Sequence, residues 1–146
     1  MDANYETDFL AWTERQADLV HKHRFELDAW GIDAANLADE ILALGQSVKR
    51  ELRSRFAILL LHLLKWQHQP NRRTAGWRAT IDEQRAQIAD LLAENPSLRA
   101  TLDMALAKGY ESARRYAIAE TGLKADTFPA KSPWPIAQVV DLNFLP

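Results

Sequence analysis

From Leu37 to Trp66 the large apolar residues recur in steps of three or four: Leu37, Ile41, Leu44, Val48, Leu52, Phe56, Leu59, Leu63 and Trp66. Thirty residues of that spacing suit a helix, which returns to the same face every 3.6 residues, and not a strand, which alternates every two. A helix of this length must bury its stripe against other elements, and the flanking segments read as more helix. Gly45 lies inside the run, where glycine costs about 1 kcal/mol relative to alanine. The pattern therefore predicts two helices, 33–44 and 46–68, with Asp33 capping the first.

Upstream, Thr7 or Asp8 can cap a first helix whose face is Phe9, Trp12, Gln16, Leu19 and His23. "HRFELDAWGI" then reads as a connector with a turn at Trp30–Gly31. Downstream, Pro70 stops the long helix, because proline lacks a donor and turns Gln69 away from helical angles. After the short "PNRR", a helix begins near Thr74 and returns antiparallel, with Trp77, Ile81, Ile88, Leu91 and Leu92 as its buried stripe. Asn95–Pro96 has the form of an N-cap followed by proline at the first helical position. It predicts a last long helix carrying Leu98, Leu102, Leu106, Ala113 and Tyr116, ended by Gly122. The remaining "LKADTFPAKSPWPIAQVVDLNFLP" holds four of six prolines and one short helical stretch, Ile136 to Leu142. Phe128, Trp134, Phe144 and Leu145 are too apolar for a free tail, so they should dock. The expected fold is all-α: a bundle of four to five main helices with an irregular, Pro-rich C-terminal segment docked on it. The 146 residues suit one domain, 1–146, made of a helical bundle over 1–122 and a docked extension over 123–146.

The longest apolar run, Ala57 to Leu64, is interrupted by His62 and ends at Lys65, well short of the about 20 residues that span a bilayer. The acidic start "MDANYETDFLAW" lacks the basic flank and apolar stretch of a signal peptide. Cysteine is absent, which excludes disulfides and thiolate chemistry and suits a reducing compartment. A cytoplasmic protein with no membrane partner is expected.

Chemistry concentrates in residues 49–85, where nine Lys and Arg face three acids, net +6, leaving −8 for the rest of the chain. At about 100° per residue, Glu51, Arg55, His62, Lys65 and Gln69 share one stripe of the long helix. An imidazole between Arg, Lys and Glu can serve acid–base chemistry or grip an anion. The plainer reading is the one solvated side of an otherwise oily helix. Around the turn, Lys65, His68, Arg72, Arg73 and Arg78, with Arg85 beyond, alternate with Trp66 and Trp77, the combination a nucleic-acid surface uses. Both tryptophans, however, fall on apolar stripes, and the arginines have Asp39, Glu40 or other acids of neighbouring helices as candidate partners.

No metal site is expected. Among His21, His23, His62 and His68 no two stand four apart, and Asp18–His21 is a lone carboxylate–histidine pair where a di-iron bundle needs two. Nucleophile elbows, phosphate loops and dinucleotide fingerprints are absent, so neither cofactor nor catalytic residue is assigned.

The segments "YETDFLAW", "NLADEILALG", "SVKRELRSRFAILLLHLLKWQHQPNRRTAGWRATIDEQRAQI", "ENPSL", "AIAETGL" and "FPAKSPWPIAQVVDLNFLP" follow one another along the chain. In that order they resemble the bacterial domain-of-unknown-function family 29. The resemblance implies a small, all-helical, intracellular bacterial protein, and carries no catalytic residue with it. The family pattern takes in His62, Lys65, Trp66, Gln69, Pro70, Trp77, Arg78, Gln84 and Arg85. The leading expectation is a non-enzymatic module for protein–protein interaction, with another protein or with itself. The alternatives are a nucleic-acid or phosphate binder through 49–85 and, third, an enzyme centred on His62.

Overall fold

The computed structural model describes residues 4–146; residues 1–3, the start of the expected bundle, lie outside it. Of the described residues 78% are helical, and none is in a strand. Among the described residues six α-helices, four of them long, follow in order: α1 Phe9–Lys22, α2 Arg24–Ala29, α3 Ala34–His68, α4 Ala75–Glu94, α5 Leu102–Thr121 and α6 Ile136–Val139. Single 3-10 segments occupy Pro70–Arg72, Pro96–Thr101 and Ala125–Thr127. The chain divides into two compact units, one of Met1–Arg50 with Leu91–Arg99, the other of Glu51–Asp90 with Ala100–Pro146.

The first unit is a helical hairpin, α1 and α2 against the first half of α3. Asp8 caps α1 as expected, its Oδ1 accepting from the Ala11 amide at 3.0 Å. The same carboxylate accepts from the Ser97 amide and hydroxyl, both at 2.8 Å. Asn95 adds a second cap from a distance. Its Oδ1 accepts from the Leu10 amide at 2.9 Å while its Nδ2 donates to the Leu91 carbonyl. The expectation that Asn95 caps its own helix is thereby corrected. Its acceptor is spent on α1, so Pro96–Thr101 follows as a 3-10 turn and α5 starts only at Leu102.

Three more expectations change in this unit. Gly45 does not break α3, which runs unbroken over 35 residues. A Cβ at Gly45 would lie 2.5 Å from Thr13 Oγ1 and 3.2 Å from Leu10 Cδ1, so glycine is there to let α1 come close. The residues buried between the helices are Leu10, Thr13 and Ala17 of α1 with Ala34, Ala38 and Gly45 of α3. The stripe expected on α1 (Phe9, Trp12, Gln16, Leu19 and His23) turns away from this seam, because close packing selects small side chains rather than the most apolar ones. Lastly, the expected connector contains α2. Its exit is the turn at Trp30–Gly31, with Gly31 at φ 83° and Asp28 Oδ1 accepting from the Ala34 amide. Asp33 caps α3 as expected, through Oδ1 and the Asn36 amide at 3.3 Å.

The second unit holds the denser core. Leu52, Phe56, Leu59, Leu60, Leu63 and Leu64 of α3 are fully buried, with Ile81 and Ile88 of α4 and Ala105, Ala113 and Ala117 of α5. Each large aliphatic there is worth about 1.5–3 kcal/mol. Gln69 leaves the helical region at φ −129° and Pro70 opens a 3-10 turn, so the proline stop holds. Thr74 Oγ1 caps α4 through the Trp77 amide, and Gly122 closes α5 with φ 68°. Tyr116, expected inside, is exposed, and Trp66 and Trp77 are half-buried rather than fully enclosed. The expected short helix shrinks to Ile136–Val139. The apolar tail does dock: Phe128, Trp134 and Val139 are buried, and Phe144 and Leu145 are partly so.

Candidate functional site

The expected polar stripe exists, but neighbouring helices cover part of it. At its start Arg55 pairs with Glu51 one turn away at 3.3 Å. About two and three turns beyond Arg55, the stripe is half-buried at His62 and Lys65. Lys65 Nζ lies 3.0 Å from Glu120 Oε2 of α5 and 4.6 Å from the ring centre of Trp77 on α4. Its ammonium is thus held between a carboxylate and an aromatic face. His62 Nδ1 donates to the Ile58 carbonyl at 2.8 Å, which leaves the lone pair on Nε2. Burial pulls the His62 pKa below its ordinary 6.5 and Lys65 pulls the same way, against the opposing Ile58 hydrogen bond and Glu120. The imidazole is therefore neutral at pH 7. Gln69 sits half-buried at the helix exit.

The basic turn separates into individual tasks. Arg72 is exposed. Arg73 folds back, donating from Nε to the Trp66 carbonyl at 2.8 Å with its guanidinium 5.0 Å over the Trp66 ring. Arg78 Nε sits 3.2 Å from both carboxylate oxygens of Asp82. Arg85, only 2% exposed, donates to the carbonyls of Val139 and Phe144 and so holds the tail. The partners found for these cations are Glu51 and the Trp66 carbonyl on α3, Asp82 on α4, Glu120 on α5 and the Val139 and Phe144 carbonyls of the C-terminal segment, rather than Asp39 or Glu40. Glu120, the partner of Lys65, was invisible from spacing because 55 residues separate the two. Among the described residues, no three His, Asp or Glu side chains gather as a metal site would, and no helix is long and apolar enough to cross a membrane.

A pH prediction follows from His62 and from His68, whose pKa burial also lowers. Both histidines bind protons more readily unfolded, so their contribution is present above the unfolded value of 6.5 and is lost as pH falls through the lowered folded values. The melting temperature should drop between about pH 7 and 5, and the double variant His62→Gln/His68→Gln should show a flatter profile. Equal slopes for the two proteins would remove this assignment.

An open apolar surface lies in the first unit, where the sequence expected a buried seam. The Lys49–Glu14 ion pair, 3.3 Å, marks one side of the α1–α3 hairpin. At about 100° per residue the opposite side carries Leu37, Ile41, Leu44 and Val48 from α3 and Phe9, Trp12 and Val20 from α1. Leu37 and Leu44 are 40% and 51% exposed, and Leu19 is 38% exposed beside them. Tyr5, Phe9 and Trp12 form a surface cluster with ring centres 5.0 to 5.9 Å apart. Toward the end of α1 this side opens into a cleft of about 280 Å³ lined by Leu19, Val20, His23, Glu26, Leu27 and Trp30.

Architecture and surface together define a small all-helical protein in which Arg55, Lys65, Arg78 and Arg85 are tied down and an apolar hairpin face is open. The chain belongs to the family described as Domain of unknown function DUF29, which it matches over residues 4–145. Its fold is similar to the crystal structure of an alpha-helical protein of unknown function from Rhodospirillum rubrum. That likeness has a TM-score of 0.68 at 20% identity, covering 99% of this chain and 93% of the other. No curated protein matches the chain.

Proposed function

We propose that the protein is a non-enzymatic interaction module of the bacterial cytoplasm, and that it docks a protein partner on the open side of the α1–α3 hairpin. One observation carries the reading. Leu37, Leu44 and Leu19 stay exposed along two helices whose small residues are buried instead. Contiguous apolar surface of this kind on a folded chain marks an interaction site. The absence of cysteine supports the compartment. The basic-segment alternative loses support because Arg55, Lys65 and Arg78 already have carboxylate partners and Arg85 is buried.

The test compares immobilised wild-type protein with Leu37→Glu/Leu44→Glu in capture from a bacterial lysate, with the chain's own copies counted among the captured proteins. A partner held by the wild type and lost by the variant is expected. Identical capture by the two would overturn the reading.

A further inference from the structure

Resting on that reading, we infer that the occupant of the hairpin face is a second copy of this chain, packed face to face about a two-fold axis. Two antiparallel helices with one apolar side are half of a four-helix bundle, and an identical hairpin supplies the other half. A two-fold contact uses the same patch on both copies, so the patch must complement itself. This one meets that requirement. Its centre, formed by Leu37, Ile41 and Leu44 with Phe9 and Trp12, is apolar and carries no Lys or Arg, so a second copy meets it apolar against apolar, with the exposed Glu40, one turn from Leu37 and Leu44, at its edge. The same lack of Lys and Arg leaves nothing at the centre to neutralise phosphates, which a nucleic acid or an anionic membrane would require.

The area also fits. Tyr5, Leu19, Leu37 and Leu44 are 61%, 38%, 40% and 51% exposed, and Phe9 and Trp12 are half-buried beside them. Together they leave roughly 500 Å² of apolar side chain open. A standard interface covers about 800 Å² per partner, a little over half of it apolar. The patch therefore matches the apolar share of one such interface. The Tyr5–Phe9–Trp12 cluster would supply the aromatic anchor that such interfaces concentrate near their centre.

Sedimentation equilibrium of the full chain over about 1–100 µM reads the association directly. The wild type is expected to form a dimer in this range. Leu44→Glu should weaken it at least about tenfold, because pairing would bury two carboxylates against each other. Leu142→Glu, at a residue 62% exposed in the other unit, should leave the dimer intact. Circular dichroism confirms that each variant keeps its helices, and both replaced leucines are exposed enough to allow it. A second probe avoids the charge: Leu44→Ala, which only trims the contact, should weaken the dimer by a smaller factor. A strictly monomeric wild type overturns the inference, as does a dimer that Leu44→Glu leaves unchanged. A monomer that still captures a different protein through Leu37 and Leu44 removes the second copy as occupant while the interaction reading stands. A monomer with no face-dependent capture removes both.

Discussion

Gly109→Ala should lower the unfolding free energy by about 2 kcal/mol, whereas Gly76→Ala should raise it by about 0.5 kcal/mol. Both glycines are helical, so propensity alone favours alanine at each. The difference lies in what the added carbon meets. At Gly109 a Cβ would stand 2.8 Å from Phe56 Cβ and 3.1 Å from both the Ala57 amide nitrogen and the Arg53 carbonyl oxygen. Two of those atoms are backbone of α3, so α5 would have to move bodily, breaking the close seam that Ala105, Gly109 and Ala113 make. At Gly76 the nearest atom is Thr74 Oγ1 at 3.6 Å, ordinary contact. Urea titrations of the two variants, with unchanged slopes, decide the matter. A Gly109→Ala protein as stable as the parent would mean that α3 and α5 do not approach this closely.

Arg85→Ala should cost about 3 kcal/mol and loosen the C-terminal segment before the rest of the chain. The guanidinium is nearly enclosed and donates to Val139 O at 2.9 Å and Phe144 O at 2.8 Å. Hydrogen bonds from a charged donor are worth about 1.5–3 kcal/mol each, and their loss would leave two partly enclosed carbonyls unsatisfied. Against this stands the cost of the buried cation itself. Its Nη1 has no partner among the described residues, and burial pulls its pKa downward, although an arginine stays protonated. Arg85→Met keeps the stem and removes that cost, so it should be destabilising by only about 1 kcal/mol. Thermal melts give the stability. Limited proteolysis gives the location, since cleavage within residues 123–146 should accelerate first for Arg85→Ala. Unchanged cleavage of that segment would show that the tail is held by Tyr110, which donates to the Pro129 carbonyl, and by Arg114, and not by Arg85.

Local chemistry made much of this fold legible beforehand. The Asp8 cap, the Pro70 stop, the Gly122 terminus and the docking of Phe128 and Trp134 each depend on a residue and its immediate neighbours, and each is found. The Asn95 cap failed because its acceptor is taken by the distant Leu10 amide, and in the first unit the inferences that ranked residues by apolarity failed as well. Helices that pack closely choose Ala, Gly and Thr for the seam, so Leu37 and Leu44, the strongest apolar signals of the first half of α3, ended on the open side. The same preference explains why Gly45 joins two helices instead of dividing one. The stripe Glu51–Arg55–His62–Lys65 was readable from helical spacing, but its state was not. Glu120 and Trp77, which hold the Lys65 ammonium, come from other helices, and only the fold brings them near. Arg85 was grouped with surface cations because charge can be counted along a chain while burial cannot.

Both caps of α1 depend on residues more than eighty positions later: Asn95 accepts from the Leu10 amide, and Ser97 holds the carboxylate of the other cap, Asp8. On the ribosome, the first helix therefore emerges with its starting turn incomplete and keeps it so until residue 97 leaves the tunnel. At about 5–20 residues per second, that wait is on the order of 10 s. During it Tyr5, Phe9, Trp12 and the leucines of α3 are all uncovered on a nascent chain, beside other nascent chains of the same message. The order of synthesis thus gives the apolar hairpin an early opportunity to meet its own kind before either copy has finished folding.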